Sequence, residues 1–367
     1  MRLVPTVAFA LSFCASIPTA YAWGPAGHEI VATIAQIYLH PTVLPTLCTI
    51  IDFSSTNLSP LDSTCHIAPI ATWADRYKSN MTWSAQLHFI GALDDHPPSS
   101  CAFPGKKGWA GTKRVNVLDG MKNVTALLQG WVKGETSDDA ANEALKFLIH
   151  FFGDSHQPMH MTGRERGGNQ VKVAFGGKET NLHAVWDDSL ITKATSTIPQ
   201  NYTLPLPYYP EIEQALRGSS YDPYIRRIIR EGIFQKWADE IPGWLSCPDA
   251  VKPTSVDAQA ALGSGGTTGI EILPDNDVLC PYHWAKPTHD LLCDGVWPKE
   301  VDEPPYKRTD KNPQPPLLEL DTPAYSGMIG QRWLVEKQLA QGGLRLAGIL
   351  NYIFAGQGQR GAFIEEC

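Results

Sequence analysis

The stretch "DDAANEALKFLIHFFGDSHQPMH", residues 138–160, decides how the rest of the chain is read. Asp138 and Asp139 open it where the positive end of a helix dipole favours acids, and its apolar residues recur at helical spacing, so a helix is predicted over 138–155. His150 and Asp154 are four apart and project from one face of that helix. Pro158 ends the helix and releases His160 in a different direction. "NLHAVWDD" (181–188) repeats the device, with His183 and Asp187 again four apart. Two such pairs and a loose histidine form a nitrogen and oxygen ligand set suited to zinc.

Working outward, "GHEIVATIAQIYL" (27–39) places Ile30, Ile34 and Ile37 at helical spacing, and further helices are expected at 66–78, 113–133, 210–217, 222–238 and 326–354. Strand alternation is scarce, "NQVKVAF" (169–175) being the best candidate. The fold class is therefore mainly α, a single-domain helical bundle over 23–367 with little β-structure. Residues 245–322 are rich in Pro, Gly, Ser and Asp and read as a long surface loop excursion stapled by cysteines, not a domain boundary.

Residues 1–22 carry Arg2, an apolar stretch and Ala20-Tyr21-Ala22, the pattern of a secretory signal peptide cut after Ala22. Nothing later is long and apolar enough to span a membrane, so the mature chain is expected to be secreted, soluble and monomeric. Seven cysteines lie outside the signal (Cys48, Cys65, Cys101, Cys247, Cys280, Cys293 and Cys367), an odd number that leaves terminal Cys367 unpaired. Sequons at Asn57, Asn80, Asn123 and Asn201 fit a glycoprotein. The formal charge is −8, the reverse of what a protein gripping polyanions with Lys and Arg shows. If this chain handles nucleic acid, something other than basic side chains must supply the positive charge.

Two further segments carry candidates: "ATWADRYK" (71–78), with Asp75, and "QLHFI" (86–90), with His88 in an apolar context. Alone, a histidine among Leu, Phe and Ile is more often a hydrogen-bonded core residue, and a His/Asp pair more often a surface contact. Two equal pairs beside a helix break, with His28 five residues after a processed N-terminus, are not independent decorations.

The blocks "WGPAGH", "WADRYK", "LHFI", "HFFGDSHQPMH", "GGN" (167–169), "NLHAVWD" and "GGLRLAGILN" run in order along the chain, which thereby resembles the zinc-dependent single-strand nucleases of fungi, the nuclease S-one and P-one type, with their plant bifunctional relatives and the more distant zinc phospholipases C. That resemblance implies three Zn²⁺ ions in a helical fold. Trp23, through its α-amino nitrogen and carbonyl oxygen, would bind one ion with His28. Asp154 would join it to a second held by Asp75, His88 and His150, and His160, His183 and Asp187 would hold the third. It also implies that Lys78 contacts the scissile phosphate, acting in catalysis with metal-bound Asp75 and Asp154, that Phe89 stacks on a base and that Asn169 hydrogen-bonds it.

Where the best-known members carry Asp after "HFI", this chain has Gly91, so the base contact is expected either to pass to Asp94 or Asp95 or to be absent. The family pattern suggests a Cys101–Cys280 disulfide, leaving Cys48–Cys65 and Cys247–Cys293. The implied activity is hydrolysis of single-stranded DNA and RNA to 5′-phosphorylated products, with 3′-nucleotidase activity. The alternatives are a phospholipase C on the same metals and, from another class, a zinc-storing or nucleic-acid-binding protein without turnover.

Overall fold

Ser137 caps the helix α5 (Asp138–Asp154), its hydroxyl accepting from Ala140 N, and from Ala144 onward the helix is buried on nearly every side. A helix so placed brings its carbonyl-bearing, negative end into the interior, and it brings Asp154 with it. In the computed structural model, which describes residues 23–51, 65–248, 275 and 278–355, α5 lies against α1 (Pro25–Ile37), α4 (Val117–Val132) and the long C-terminal helix α13 (Leu334–Phe354). The pair Gly342-Gly343 permits this closeness. A Cβ at Gly343 would lie 2.5 Å from Ile34 Cγ2, and one at Gly342 would lie 3.3 Å from the Phe152 carbonyl oxygen. The block "GGLRLAGILN" is thus where α13 crosses α1 and α5.

Shorter helices complete the order: α2 (Val43–Ile50), α3 (Trp73–Tyr77), α6 (Leu182–Ala184), α7 (Leu190–Ser196), α8 (Pro210–Leu216), α9 (Asp222–Arg227), α10 (Ile241–Leu245), α11 (Pro281–Asp290) and α12 (Met328–Gln331). The only sheet among the described residues has order β2-β1-β3. β1 (Lys172–Phe175) and β2 (Lys178–Asn181) form a hairpin turned by Gly176 and Gly177, both at positive φ, as a tight two-residue turn requires. β3 (Leu318–Glu319) adds to β1 in parallel. The mainly helical class and the one strand read in the sequence agree with this.

Two expected helices are broken. Residues 66–78 divide into a 3₁₀ turn (Ala68–Ile70) and α3, and the break leaves the Ala71 carbonyl free to accept a hydrogen bond from His150. Residues 326–354 divide at Trp333, whose φ is 56° and whose ring stacks on Arg227.

The reading of 245–322 as a surface excursion also needs correction. Within it α11 and a following π-type turn (Leu292–Val296) bury Trp284, His289, Leu292 and Trp297 in the core. That helix changes the disulfides. Cys280 and Cys293 sit at its opposite ends, about 15 Å of helix apart. Cys280 therefore meets Cys247 (Cα–Cα 5.7 Å) and Cys293 meets Cys101 (6.1 Å), in place of the expected Cys101–Cys280 and Cys247–Cys293. Cys48 joins Cys65. Asn80, Asn123 and Asn201 are exposed. The signal stretch, Asn57 and Cys367 lie outside the described residues, and among those described no helix is long and apolar enough to cross a membrane.

Candidate metal centre

The last turn of α5 presents His150 and Asp154, both fully buried. Against it come Asp75 from α3, His88 from the end of a 3₁₀ segment (Thr82–His88), and His28 from the first turns of α1. His160 follows on the 3₁₀ turn Pro158–Met161. The hairpin delivers the rest: Asn181 at the end of β2 caps α6, its side chain accepting from Ala184 N, and His183 and Asp187 lie on α6 and the π-type turn (Val185–Ser189) that follows. Wider helical turns of this kind recur at functional sites.

These side chains fall into three groups, the first two sharing His150, and within each group the ligand-type atoms lie within 4.8 Å of one another: His28, His150 and Asp154; Asp75, His88 and His150; and His160, His183 and Asp187. The eight side-chain ligands expected from the sequence are thus brought together, with His150 bordering two groups. Trp23 is buried at the start of α1, its ring 6.4 Å from that of Trp186, and Gly24 N donates to the Asp187 carbonyl, so the entry to α1 runs beside the third group.

The hydrogen bonds fix which nitrogens face inward. A carbonyl can only accept, so Nδ1 carries the proton where His150 meets Ala71 O (2.7 Å), His160 meets His88 O (2.5 Å) and His183 meets Gly167 O (2.6 Å). Their Nε2 atoms are then bare lone pairs. Those of His160 and His183 face each other at 3.2 Å, and neither can donate to the other. His183 Nε2 is also 3.3 Å from Asp187 Oδ2. Around Asp154, His88 Nδ1 lies at 3.1 Å, His150 Nε2 at 3.3 Å and His28 Nε2 at 3.4 Å. Both Asp154 oxygens, both His28 nitrogens, Asp75 Oδ1 and His88 Nε2 are buried without a hydrogen-bond partner.

Buried acceptors in such number are costly unless a cation answers them. Ligands about 2.0–2.2 Å from a tetrahedral zinc are about 3.3 Å apart, which is the spacing observed. Imidazoles that give their other N–H to a carbonyl are the usual metal ligands. The residues therefore fit zinc.

Without metal, burial pushes His28 down to about 4 and holds His88, His150 and His160 below the ordinary imidazole value. Burial likewise drives Asp154 and Asp187 well above the usual carboxylate range. The rings are kept neutral and ready to coordinate, while the carboxylates need positive charge to ionise.

Lys78 follows α3, 27 % exposed, with Nζ 3.9 Å from Asp75 Oδ1. Phe89, next to His88, is 46 % exposed. Asn169 is half-buried, and its amide nitrogen donates to Arg166 O.

Asp94 and Asp95 are turned toward the protein itself, each of their four oxygens accepting a hydrogen bond from the surrounding chain. The Asp94 carboxylate accepts from Lys106 N and Lys107 N beside Gly105. Asp95 is buried and accepts from Ala102 N, Thr162 Oγ1 and His289 Nε2. Every oxygen is committed to shaping the loop. The grouping of Asp95 and His289 with Cys101 is structural for the same reason, since Cys101 is bonded to Cys293.

Sequence reasoning missed the residues that position the ligands. Gln157 donates to Asp187 Oδ1 (2.7 Å) and accepts from Met159 N. His156 donates to Phe152 O and accepts from Arg345, tying α13 to the segment between Asp154 and His160. Gly153 and Gly167 make room for His28 and His183. Their positions inside "HFFGDSHQPMH" and "GGN" were the available clue.

The fold and site define a mainly helical protein whose clustered imidazole and carboxylate atoms could hold metal ions. The sequence model of the S1/P1 nuclease family matches residues 23–355, and the chain belongs to that family. It is similar to Endonuclease 2 of Arabidopsis thaliana, 27 % identical over 343 residues, 92 % of each chain. It is also similar to nuclease S1 of Aspergillus oryzae, 36 % identical over 197 residues (53 % of this chain, 62 % of that protein). With nuclease P1 of Penicillium citrinum it is 36 % identical over 167 residues (45 % and 57 %).

Proposed function

We propose that this chain is a secreted, zinc-dependent nuclease that hydrolyses single-stranded DNA and RNA to 5′-phosphorylated products and has 3′-nucleotidase activity. The observation that carries it is the set of three His/Asp groups, with unpartnered buried atoms, in a member of this family. His28, Asp75, His88, His150, Asp154, His160, His183 and Asp187, with the main chain of Trp23, would hold three Zn²⁺ ions. Such ions supply a nucleophile from water near neutral pH and positive charge for a phosphate.

The protein's own groups do the rest. Buried carbonyls hold the imidazoles in the tautomer that aims Nε2 inward, and Gln157 orients Asp187. Lys78 is the partly exposed cation beside Asp75, placed to meet a phosphate whose charge grows in the transition state. Phe89 offers a face on which a base can stack only once it is free of a duplex, which favours single strands. Asn169 is the remaining candidate for an edge-on hydrogen bond to that base. Three disulfides among the described residues support an oxidising, extracellular location for a single nuclease domain, with carbohydrate on the sequons.

The test is to load the purified protein with zinc, count the metal, and compare hydrolysis of single-stranded DNA, duplex DNA, 3′-AMP and phosphatidylcholine. Cleavage of single-stranded DNA and 3′-AMP with close to three zincs per chain is expected. Turnover of phosphatidylcholine alone would favour the phospholipase reading, and metal binding without any turnover the storage reading.

A further inference from the structure

The N-terminal half of α13 turns one face, including Leu334, Lys337, Gln341 and Arg345, into a cleft of about 540 Å³ whose other walls come from α10 and α11. It shares no residue with the His/Asp centre. Its lining carries three cationic side chains, Arg332, Lys337 and Arg345, and no carboxylate, in a chain whose formal net charge is −8. Arg332 and Lys337 reach acids outside the lining, Asp294 and Glu240 respectively.

Arg345 does not. It is 5 % exposed, donates from Nε to the Trp244 carbonyl (2.9 Å) and from Nη1 to His156 Nε2 (2.8 Å), and lies over the ring of Trp284. No carboxylate among the described residues forms an ion pair with it. Burial pushes its pKa down to about 9, so it remains charged at neutral pH. A buried cation without a counter-charge is costly, and the two bonds it makes use two of the five N–H donors of a guanidinium. The remaining donors belong to a group that lines an open cleft. A guanidinium fork matches the paired oxygens of a phosphate or carboxylate.

We propose that this cleft is a second binding site for a small organic oxyanion, its phosphate or carboxylate held by Arg345 with Lys337 and Arg332 beside it, and its body packed on Trp244 and Leu334. The assignment stands on the cleft alone and does not depend on the nuclease reading.

The experiment is calorimetric titration of the zinc-loaded protein with 5′-AMP and, separately, with inorganic phosphate. It is run on the wild type, on Arg345→Gln, and on the double variant Arg332→Gln/Lys337→Gln, whose side chains are partly exposed. Two classes of site are expected in the wild type. The second should be lost in Arg345→Gln and weakened at least tenfold in the double variant, whose zinc content and first class stay unchanged. AMP binding tenfold tighter than phosphate at that site is expected from the apolar wall, and equal affinities would overturn the packing of a ligand body on Trp244 and Leu334. A single class for both probes that is undiminished in the double variant would overturn the proposal. So would a second class that persists undiminished in the double variant, which decides the question if Arg345→Gln does not fold.

Discussion

His28 lies flat against His150, ring centroids 3.9 Å apart and planes 10° from parallel, and the first ring passes over Gly153, where a Cβ would meet His28 Nδ1 at 2.3 Å. A glycine in the last turn of a helix costs about 1 kcal/mol relative to alanine, so this one is retained against propensity. Gly153→Ala should therefore leave the helix at least as stable on its own while displacing His28. The expected result is loss of one metal ion and a fall in activity of about 10- to 100-fold, the scale seen when ligand support is removed. Metal analysis beside an activity assay checks it, and unchanged metal content and turnover would refute it.

Removing the metal should destabilise the protein at neutral pH, and the signs follow from the shifted groups. Asp154 and Asp187 are raised, so above pH 3.8 the folded metal-free state binds more protons than the unfolded one, and its stability falls as pH rises. His28 is lowered to about 4, so between about 6.5 and 4 the unfolded state binds the extra proton, and stability falls as pH drops. Metal relieves the first penalty and competes with protons for the imidazoles. Chelation at pH 7 is expected to lower Tm by about 10 °C, the consequence of several kcal/mol of uncompensated buried charge. Near pH 4 the metal-loaded and chelated proteins should melt together, with activity lost in step with zinc. Scanning calorimetry with and without chelator decides, and equal Tm values at pH 7 would contradict the centre as drawn.

Lys78→Ala should lower kcat by about 10²-fold while zinc content stays the same, because the ammonium lies 3.9 Å from the proposed ligand Asp75 without being a ligand type itself. A rise in KM with kcat preserved would show that Lys78 serves binding of substrate and transition state alike.

The centre was legible because its chemistry is written locally. His150 and Asp154, and His183 and Asp187, are each set by one helical period, whereas the helix already ends at Asp154 and Pro158 opens the separate 3₁₀ turn that carries His160. What failed were relations between distant segments. The helix Pro281–Asp290 is opened by a proline and contains another, Pro287, so its sequence resembles a loop. The pairing Cys101–Cys280 rested on the family pattern, and this helix, by separating Cys280 from Cys293, sends them to Cys247 and Cys101 instead. Asp94 and Asp95 looked available for a base because nothing in the sequence reveals that Lys106 N, Ala102 N, Thr162 and His289 already occupy them. The supports Gln157, His156 and Arg345 act through partners 30 and 189 residues away.

Gly91 is explained by packing, and that yields a fourth prediction. A Cβ there would lie 2.2 Å from Gly163 N and 2.8 Å from its Cα, because the chain at Ile90 is bonded to the His160 carbonyl (2.9 Å). Gly91→Asp should therefore not restore an acidic base contact. Pushing the 160–163 segment away is expected to cost about 1–3 kcal/mol, lower Tm by several degrees and disturb His160. Thermal melting and cleavage of homopolymers of each base check this. A variant of wild-type stability with a new base preference would show that the two segments separate easily.

The last prediction concerns the residue that would begin the mature chain. Trp23 is buried, Gly24 N is bonded to the Asp187 carbonyl, and a Cβ at Gly27 would meet Trp23 Cβ at 2.7 Å, so the chain entering α1 is held between the third ligand group and the turn bearing His28. An α-amino group has an unperturbed pKa of about 7.7–8.0, low enough for a metal to displace its proton. One residue left in front of Trp23 converts that amine into an amide, whose nitrogen is a very poor zinc ligand. The helical core and the side-chain ligands are untouched, so the extended protein should fold, with Tm close to that of the authentic form, and keep the ion held by His160, His183 and Asp187. It should lose or weaken the ion shared by His28 and Asp154, and activity with it, making cleavage after Ala22 a condition for catalysis. The two forms are prepared side by side, each N-terminus confirmed by mass spectrometry, and zinc content and cleavage of single-stranded DNA measured. Equal zinc and equal activity would mean that the Trp23 amine takes no part and that His28 and Asp154 hold their ion without it.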